Sequence, residues 1–224
     1  HGSLVNGIQM PRDPRWKLMD PGNAWGTKET VDFIALAIGR VNEKFPETPP
    51  LPLGDISARN GGHLTPHRSH QAGRDVDINY YLRGDQKWYS HTNAQNIDLP
   101  RCWALVKTFI NETDVDMIFI DTSIQRLLAD YAVSAGEDPA WVDSLFQVRG
   151  KNWAAKIRHV RGHATHLHVR FFSPMAQEMG RRAERYLPAS ARPVAVAAKS
   201  AAPAKGAHAS NDTHGRRGDK GDKV

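Results

Sequence analysis

Two short segments of the chain contain the residue types that bind metal ions and transfer protons. The first reads His70-Gln-Ala-Gly-Arg-Asp-Val-Asp77, and the second, much further along, reads His163-Ala-Thr-His-Leu-His-Val-Arg170. Two histidines and one aspartate are a common ligand set for catalytic zinc, whose fourth position holds water. Zinc lowers the pKa of this water to about 7, so a hydroxide-like nucleophile is available at neutral pH. The two segments therefore predict metal-assisted hydrolysis.

The second segment is predicted to form a strand with one polar and one apolar face. From residue 165 to residue 171, leucine, valine and phenylalanine alternate with polar side chains. Because alternate side chains of a strand point to opposite faces, His166, His168 and Arg170 share the face directed away from the core. This arrangement is typical of a strand that faces a cleft.

The first segment leads into another strand, predicted over residues 75–81. If the two strands are neighbours in one sheet, Asp77 and His168 point into the same space. His70 reaches that space from the preceding loop, where Gly73 permits a tight turn. The polar face of this strand is formed by Asp75, Asp77, Asn79 and Tyr81.

The rest of the pattern predicts an α+β fold with a small antiparallel sheet and flanking helices. Apolar residues recur at helical spacing from Val31 to Phe45, after a cap at Thr27 or Thr30. Strands and helices are mixed without a regular strand–helix–strand order, which favours antiparallel pairing. Further helices are predicted near 100–111, after 121, near 138–146 and from 173 to 186, further strands over 53–57 and 115–120, and irregular structure over 1–24.

Composition divides the chain into one folded domain, residues 1–187, and a tail, residues 188–224. The tail holds ten Ala, four Gly, three Pro and no aromatic residue. Such a segment cannot bury enough apolar surface to offset the entropy of ordering it, so we predict a disordered basic tail.

The distribution of charge and hydropathy excludes two classes of protein. The net charge is +6, but residues 1–187 contribute only +2 of it, so the folded domain shows no nucleic-acid footprint. No run of eighteen apolar residues exists, so we expect no transmembrane segment. The chain begins at His1 rather than at Met, so we expect it to be processed or truncated, and the lack of a signal peptide does not indicate the cytoplasm. The oligomeric state stays open.

The polar segments resemble a known group of zinc peptidases. The spacing of His70 and Asp77, with His166 and His168, is similar to that of the lysostaphin, D-Ala-D-Ala carboxypeptidase and Hedgehog superfamily. Within it, the chain resembles the penicillin-insensitive murein endopeptidases over roughly residues 50–175. The motifs that carry this resemblance are Asn60-Gly-Gly, His67-x-Ser-His-Gln-x-Gly-x-Asp-Val-Asp77 and His163-x-x-His-x-His-Val-Arg170.

The resemblance implies a cofactor, a set of site residues and a substrate. It implies zinc bound by His70, Asp77 and His168, with His166 as the catalytic base or the group that stabilises the tetrahedral intermediate. The family hydrolyses the D-alanyl to meso-diaminopimelyl cross-link of peptidoglycan in the periplasm. The resemblance therefore implies a murein DD-endopeptidase that acts on peptidoglycan and is periplasmic or secreted.

Two further histidines match family histidines near the metal. We assign His67 to the metal site and His163 to the catalytic group, while substrate contact, support of the ligands or a second metal ion stay open as their roles. Some members of the family carry an Asp-x-x-His pair after the first motif. No such pair lies between Tyr80 and Pro100, which puts a second metal in doubt.

Chemistry independent of the resemblance restricts the remaining roles. The chain has no His-Glu-x-x-His motif, so a base must come from the cleft, and His166 lies on the correct strand face. Asp75 is predicted to accept a hydrogen bond from a ligand histidine, and Arg170 to pair with Asp75 or bind a substrate carboxylate. Tyr81 and the Trp88-Tyr89 pair are candidates to line a substrate groove.

Two other functions fit the same sequence. A D-Ala-D-Ala carboxypeptidase of the same superfamily would need a cation for the free carboxylate, and Arg170, Arg74 and Arg68 are candidates. A non-catalytic module that binds zinc or cell wall is the other alternative. His166 beside three ligands argues against the module, because structural zinc sites are usually closed by four protein ligands.

Overall fold

The computed structural model of the chain describes residues 2–150, 153–184 and 186. Two compact units are distinguished, His1–Met179 and Gly180–Val224. The strands that carry the polar segments belong to the first unit. The predicted tail over 188–224 lies outside the described residues and stays a prediction, as does a domain boundary at residue 187.

Strands and helices alternate irregularly along the described chain. A 3-10 turn at Pro21–Asn23 accompanies them. The strands are β1 (Ile8–Gln9), β2 (Trp16–Leu18), β3 (Trp25–Gly26), β4 (Leu51–Leu53), β5 (Asp75–Asn79), β6 (Val115–Phe119), β7 (Ile157–Arg158) and β8 (His166–Phe171). The helices are α1 (Lys28–Lys44), α2 (Leu99–Glu112), α3 (Thr122–Ser134), α4 (Pro139–Leu145), α5 (Gln147–Gly150) and α6 (Pro174–Glu184).

One six-stranded sheet organises the first unit, in the order β2-β4-β5-β8-β6-β7. Its four middle strands are antiparallel neighbours, whereas the outer pairs β2–β4 and β6–β7 are parallel. The predicted α+β class is therefore confirmed, and the sheet is antiparallel in the part that carries the polar segments. The strands β1 and β3 form a separate antiparallel pair.

The core lies between this sheet and the helices α1 and α2. Phe171 of β8 packs against Phe33 of α1, with ring centroids 5.5 Å apart, and against Phe109 of α2, at 5.7 Å. Leu167 and Val169 of β8 are fully buried on the same alternating set of positions. The apolar face of β8 therefore anchors the sheet to its helices, which leaves the histidine face to the opposite side.

The predicted elements differ from the observed ones in several places, among them the end of β5 at Asn79 instead of residue 81. Residues 1–24 contain the short strands β1 and β2, and β4 ends at Leu53 instead of running over 53–57. After Leu53 the backbone leaves the β2–β4 pairing, since the amides of Ile56 and Ser57 donate to the carbonyl of Asn23. Among the described residues, no helix is both long and apolar enough to cross a bilayer.

Candidate metal centre

The pairing of β5 with β8 brings the two polar segments together. In this antiparallel ladder Asp77 lies opposite His168, Asp75 opposite Arg170, and Asn79 opposite His166. Directly opposed side chains on one face of an antiparallel pair lie within contact distance. The neighbour relation that the sequence left conditional is therefore present, and the register places carboxylate against imidazole.

Three potential ligand atoms converge at this pairing. Nδ1 of His168 lies 2.9 Å from Oδ1 of Asp77 and 3.2 Å from Nε2 of His70. Nε2 of His70 lies 3.3 Å from the same Asp77 oxygen. Three ligands of a tetrahedral zinc ion, at bond lengths of about 2.0–2.1 Å, are themselves roughly 3.3 Å apart. The donor types and their spacing therefore fit a metal ion.

His70 comes to this cluster from the loop that precedes β5, and its side chain is fully buried. Its Nδ1 lies 3.0 Å from the carbonyl oxygen of Ile56, which can only accept, so Nδ1 carries the proton. Nε2 is therefore the nitrogen that faces Asp77. Gly73, at φ +66°, turns the chain from this loop into β5, and a Cβ there would lie 2.9 Å from Leu4.

Asp75 and Arg170 hold the imidazole of His168 from its other side. Oδ1 of Asp75 accepts from Nε2 of His168 at 2.9 Å and from Nε of Arg170 at 2.8 Å. Burial raises the pKa of Asp75, but the hydrogen bond and charge of His168 and the charge of Arg170 outweigh it and lower the pKa to about 2. The predicted roles of Asp75 as hydrogen-bond acceptor and of Arg170 as its ion-pair partner agree with these contacts.

The two carboxylates control the protonation of the cluster. Burial lowers the pKa of His168, but hydrogen bonds to Asp75 and Asp77 outweigh it and raise the pKa to about 9. Burial raises the pKa of Asp77, yet the hydrogen bond from His168, together with the hydrogen bond and charge of His70, holds it well below its ordinary value. Without a metal ion, His168 is therefore an imidazolium between two carboxylates.

His166 has the opposite electrostatic environment, although it lies only two residues away on the same strand face. Burial lowers its pKa to about 4, against the partly compensating charge of Asp77. Its Nε2 lies 3.6 Å from Oδ1 of Asp77, and the residue is 5% exposed. His166 is therefore neutral at pH 7, and its ring can accept a proton beside the ligand cluster.

His67 adds a fourth potential ligand atom at the edge of the cluster. Its Nδ1 lies 3.6 Å from Oδ2 of Asp77, and its Nε2 lies 3.0 Å from Oδ2 of Asp55. His67, His70 and Asp77 alone form a group that can hold a metal ion, with one ligand atom of each within 4.8 Å of the others. The distances centred on His168 are shorter, so the two groups overlap around His70 and Asp77.

His163 lies in the turn before β8 and flanks His166 and His168. Its ring centroid is 5.0 Å from that of His166 and 5.9 Å from that of His168. Its Nδ1 donates to the carbonyl of Val160 at 3.0 Å. Burial lowers the pKa of His163, partly offset by this hydrogen bond. The structure thus places the ring of His163 beside those of His166 and His168.

Tyr81 is placed differently from the expectation that it lines a groove. It lies past the end of β5, its side chain is fully buried, and its hydroxyl has no hydrogen-bond partner in the described part of the chain. The alternation of β5 stops at Asn79, so the face assigned to Tyr81 from the sequence no longer applies. The side chain belongs to the core instead.

A cavity of about 350 Å³ opens beside the cluster. Trp88 and Tyr89 form one wall, as the sequence suggested, and His67 and Asp77 form part of another. Gly54 is required here, because a Cβ would lie 2.6 Å from the ring of Trp88. No role was predicted from the sequence for several lining residues, nor for Phe119, whose ring stacks on His168 at 5.3 Å. The missed lining residues are Met19, Asp20, Gly54, Asp55 and Pro66.

Only Asp55 among the missed residues carried a usable signal. It is an acidic residue just beyond a buried strand, in the run Leu53-Gly-Asp-Ile-Ser. A charged side chain between apolar neighbours is a reason to look for a buried partner, which here is His67. Phe119 occupied an ordinary apolar strand position and had no such signal.

Comparison with known proteins identifies the family. The family model described as penicillin-insensitive murein endopeptidase matches residues 1–191. The chain belongs to this family. Its similarity to the penicillin-insensitive murein endopeptidase of Yersinia enterocolitica is 31% identity over 194 residues, or 78% of this chain and 64% of the relative. The protein of the same name from Klebsiella pneumoniae is 28% identical over 195 residues, again 78% and 64%.

A third relative has a similar sequence identity over a shorter stretch. The penicillin-insensitive murein endopeptidase of Pectobacterium atrosepticum is 32% identical over 139 residues, which is 54% of this chain and 44% of the relative. The chain thus spans somewhat less than two thirds of the length of the family members it matches. The predicted resemblance to this family is confirmed.

Proposed function

We propose that the chain is a zinc-dependent murein DD-endopeptidase that hydrolyses the D-alanyl to meso-diaminopimelyl cross-link of peptidoglycan. The observation that carries the proposal is the convergence of His70, Asp77 and His168 next to a neutral His166, beside an open cavity that Asp77 lines. Family membership supports peptidoglycan as the substrate and, with it, a periplasmic or secreted location.

The proposed metal ligands are Nε2 of His70, a carboxylate oxygen of Asp77 and Nδ1 of His168, with His67 close enough to Asp77 to assist. Two imidazoles and one carboxylate are the donor set of catalytic zinc sites that retain an open position. When bound, zinc supplies a Lewis acid that polarises the scissile carbonyl and acidifies a water molecule.

His166 is the proposed general base. It is neutral at pH 7 because burial lowers its pKa to about 4, so it is free to accept a proton when water attacks the peptide. The same group can then return this proton to the departing amine. His163, with its ring centroid 5.0 Å away, is proposed to hold the substrate or a polar intermediate against His166.

The residues around the ligands are proposed to fix their orientation. The carbonyl of Ile56 determines which nitrogen of His70 faces the metal, and Asp75 does the same for His168. Arg170 neutralises Asp75 from the side. Outer contacts of this type hold ligand histidines in one tautomer and one rotamer, which favours metal binding.

The cavity favours the endopeptidase over the carboxypeptidase. The described residues that line it include no lysine and no arginine, whereas a free substrate carboxylate calls for one. Arg170, one of the candidates for that role, is already paired with Asp75 at 2.8 Å. A substrate segment that continues in both directions fits this cavity better than a chain end does.

Cross-linked muropeptide dimers test the proposal directly. The purified protein is incubated with dimers in the presence of zinc, or after treatment with a chelator, and the products are followed by mass spectrometry. We expect dimers to become monomers, with activity lost after chelation and in His166→Ala. The matched control is His63→Ala. The ring of His63 pairs with the hydroxyl of Thr65, so this variant should remain active.

The other outcomes separate the alternatives. Loss of a single alanine from the dimers, without monomers, would replace the endopeptidase by the carboxypeptidase. Stoichiometric zinc binding without any product would contradict both enzymes and support the non-catalytic module.

A further inference from the structure

Tyr89 has a backbone conformation that is unfavourable for its residue type. Its φ is +61°, in the left-handed region that glycine adopts freely and aromatic residues rarely adopt. The side chain is 51% exposed, so burial of its ring in the core does not explain the conformation. Strained residues that persist in a fold are often found at functional sites, where the surrounding structure holds them.

The strained backbone places the ring of Tyr89 over His166. The two ring centroids are 4.9 Å apart with an interplanar angle of 32°. Trp88 packs edge-on against Tyr89, at 4.9 Å and 74°, and is itself 6.2 Å from His166. His166 is only 5% exposed, and the two aromatic residues next to it, Trp88 and Tyr89, line the open cavity. An exposed aromatic ring thus covers a buried imidazole.

The loop that carries Tyr89 is held on both sides of it. At its base, Leu82 bridges to Ile97. Beyond Tyr89, the amide of Thr92 donates to the carbonyl of Ala164, two residues before His166, at 2.8 Å. On the other side of Tyr89, the ring of Trp88 packs closely against Gly54, which has no side chain to displace it. The loop is therefore attached to the start of β8, which carries His166.

We propose that Tyr89 is a positioning residue for His166. Its ring covers the imidazole and confines it to the rotamer that faces Asp77, and the left-handed backbone at residue 89 is what brings the ring there. The proposal rests on the proposed function for its kinetic consequence. The covering of His166 by Tyr89 is a property of the fold and can be tested without any substrate.

The first test measures access to His166. Protein without metal is treated with diethyl pyrocarbonate, and modification of His166 is followed by tandem mass spectrometry. Tyr89→Gly should raise the modification rate of His166 several-fold, because glycine removes the ring and adopts φ +61° without strain. Tyr89→Phe keeps the ring and should react as slowly as the wild type. Glu47→Gly, also at a left-handed residue (φ +64°), is the matched control and should not change the rate.

The second test measures kinetics on cross-linked muropeptide dimers. Tyr89→Gly should lower kcat by ~10- to 100-fold with KM little changed, because a misplaced base slows the reaction without weakening binding. The variants Tyr89→Phe and Glu47→Gly should both have a kcat close to the wild-type value.

Several results would overturn the proposal. An unchanged modification rate in Tyr89→Gly shows that the ring does not cover His166. Raised access with wild-type kcat shows that the cover has no positioning role, and a change confined to KM makes Tyr89 a substrate contact instead. If the wild type is inactive on dimers, the proposed function fails, and the modification rate still decides whether Tyr89 covers His166.

Discussion

The candidate site has a half built on strands and a half built on loops, and the two halves are constructed differently. On β5 and β8, Asp75, Asp77 and His168 are 2–4% exposed and are joined by contacts of 2.9 Å. On the loops, the side chain of His67 is 17% exposed and Tyr89 is 51% exposed, and Nδ1 of His67 lies 3.6 Å from the nearest oxygen of Asp77. His70 is the exception, because it is a loop residue that is fully buried.

This difference teaches where rigidity is needed. The ladder fixes the strand residues through the backbone hydrogen bonds of two paired strands, so the backbone itself brings their side chains opposite one another. The loop residues depend on individual contacts, such as Asp55 for His67 and Ile56 for His70. We therefore expect substitutions on the strands to damage metal binding most, and substitutions on the loops to have graded effects.

The largest effect is expected for His168→Ala. This change removes one proposed ligand and leaves the buried Asp75 and Asp77 without their shared partner. Activity on muropeptide dimers should fall by more than ~10³-fold, since the water-activating ion is lost. Zinc content, measured by mass spectrometry of the native protein, should fall below stoichiometric. If the variant retains one tightly bound zinc, the ligands are instead His67, His70 and Asp77.

The next effect concerns Asp75, which touches His168 but is not itself a proposed ligand. Asp75→Asn keeps the shape of the side chain and removes its charge, so His168 is held less firmly. Zinc affinity, measured by competition with a chromophoric chelator, should fall by ~10- to 100-fold. An unchanged affinity would mean that the ladder alone orients His168, and that the ion pair with Arg170 serves only stability.

The pH dependence of zinc binding gives a third test. The pKa of His168 is raised to about 9 without metal, so the group is protonated at pH 7 and must lose a proton to become a ligand. Affinity should therefore increase as pH rises toward 9, by about tenfold per unit, because the neutral fraction grows by this factor below the pKa. Calorimetry in buffers of different ionisation enthalpy should detect about one proton released per zinc at pH 7. Release of no proton would contradict the role of His168.

The smallest effect is expected for His67→Ala, on the loop half. His67 lies 3.6 Å from Asp77 and is more exposed than the strand residues. One zinc should still bind, with an affinity lowered by less than about tenfold, which is the lower end for groups outside the ligand set. His63→Ala is the control, because that histidine lies in the same loop region and its ring pairs with the hydroxyl of Thr65. A loss of zinc binding as large as that of His168→Ala would mean that the loop half contributes as much to metal binding as the strand half.

The comparison also shows how far the sequence could be interpreted. Alternation along β8 predicted which side chains share the face of His166 and His168, because the period of two is a property of the strand itself. Alternation along β5 predicted the wrong environment for Tyr81. The strand ends at Asn79, and no local sequence pattern marks that end. Asp55, Gly54 and Phe119 were missed because their roles depend on neighbours distant in the sequence.

The sequence by itself determined the residue types, the strand faces and, through resemblance, the family. Residue types and strand faces are local properties, and the resemblance rests on sequence motifs, so none of them requires knowledge of the fold. Only the tertiary structure decided that Asp77 lies opposite His168 in one ladder, that the neighbouring His166 and His168 have opposite protonation, and that Tyr89 covers His166. Such relations depend on burial and on distances between remote segments, and small differences in both set the pKa of each imidazole.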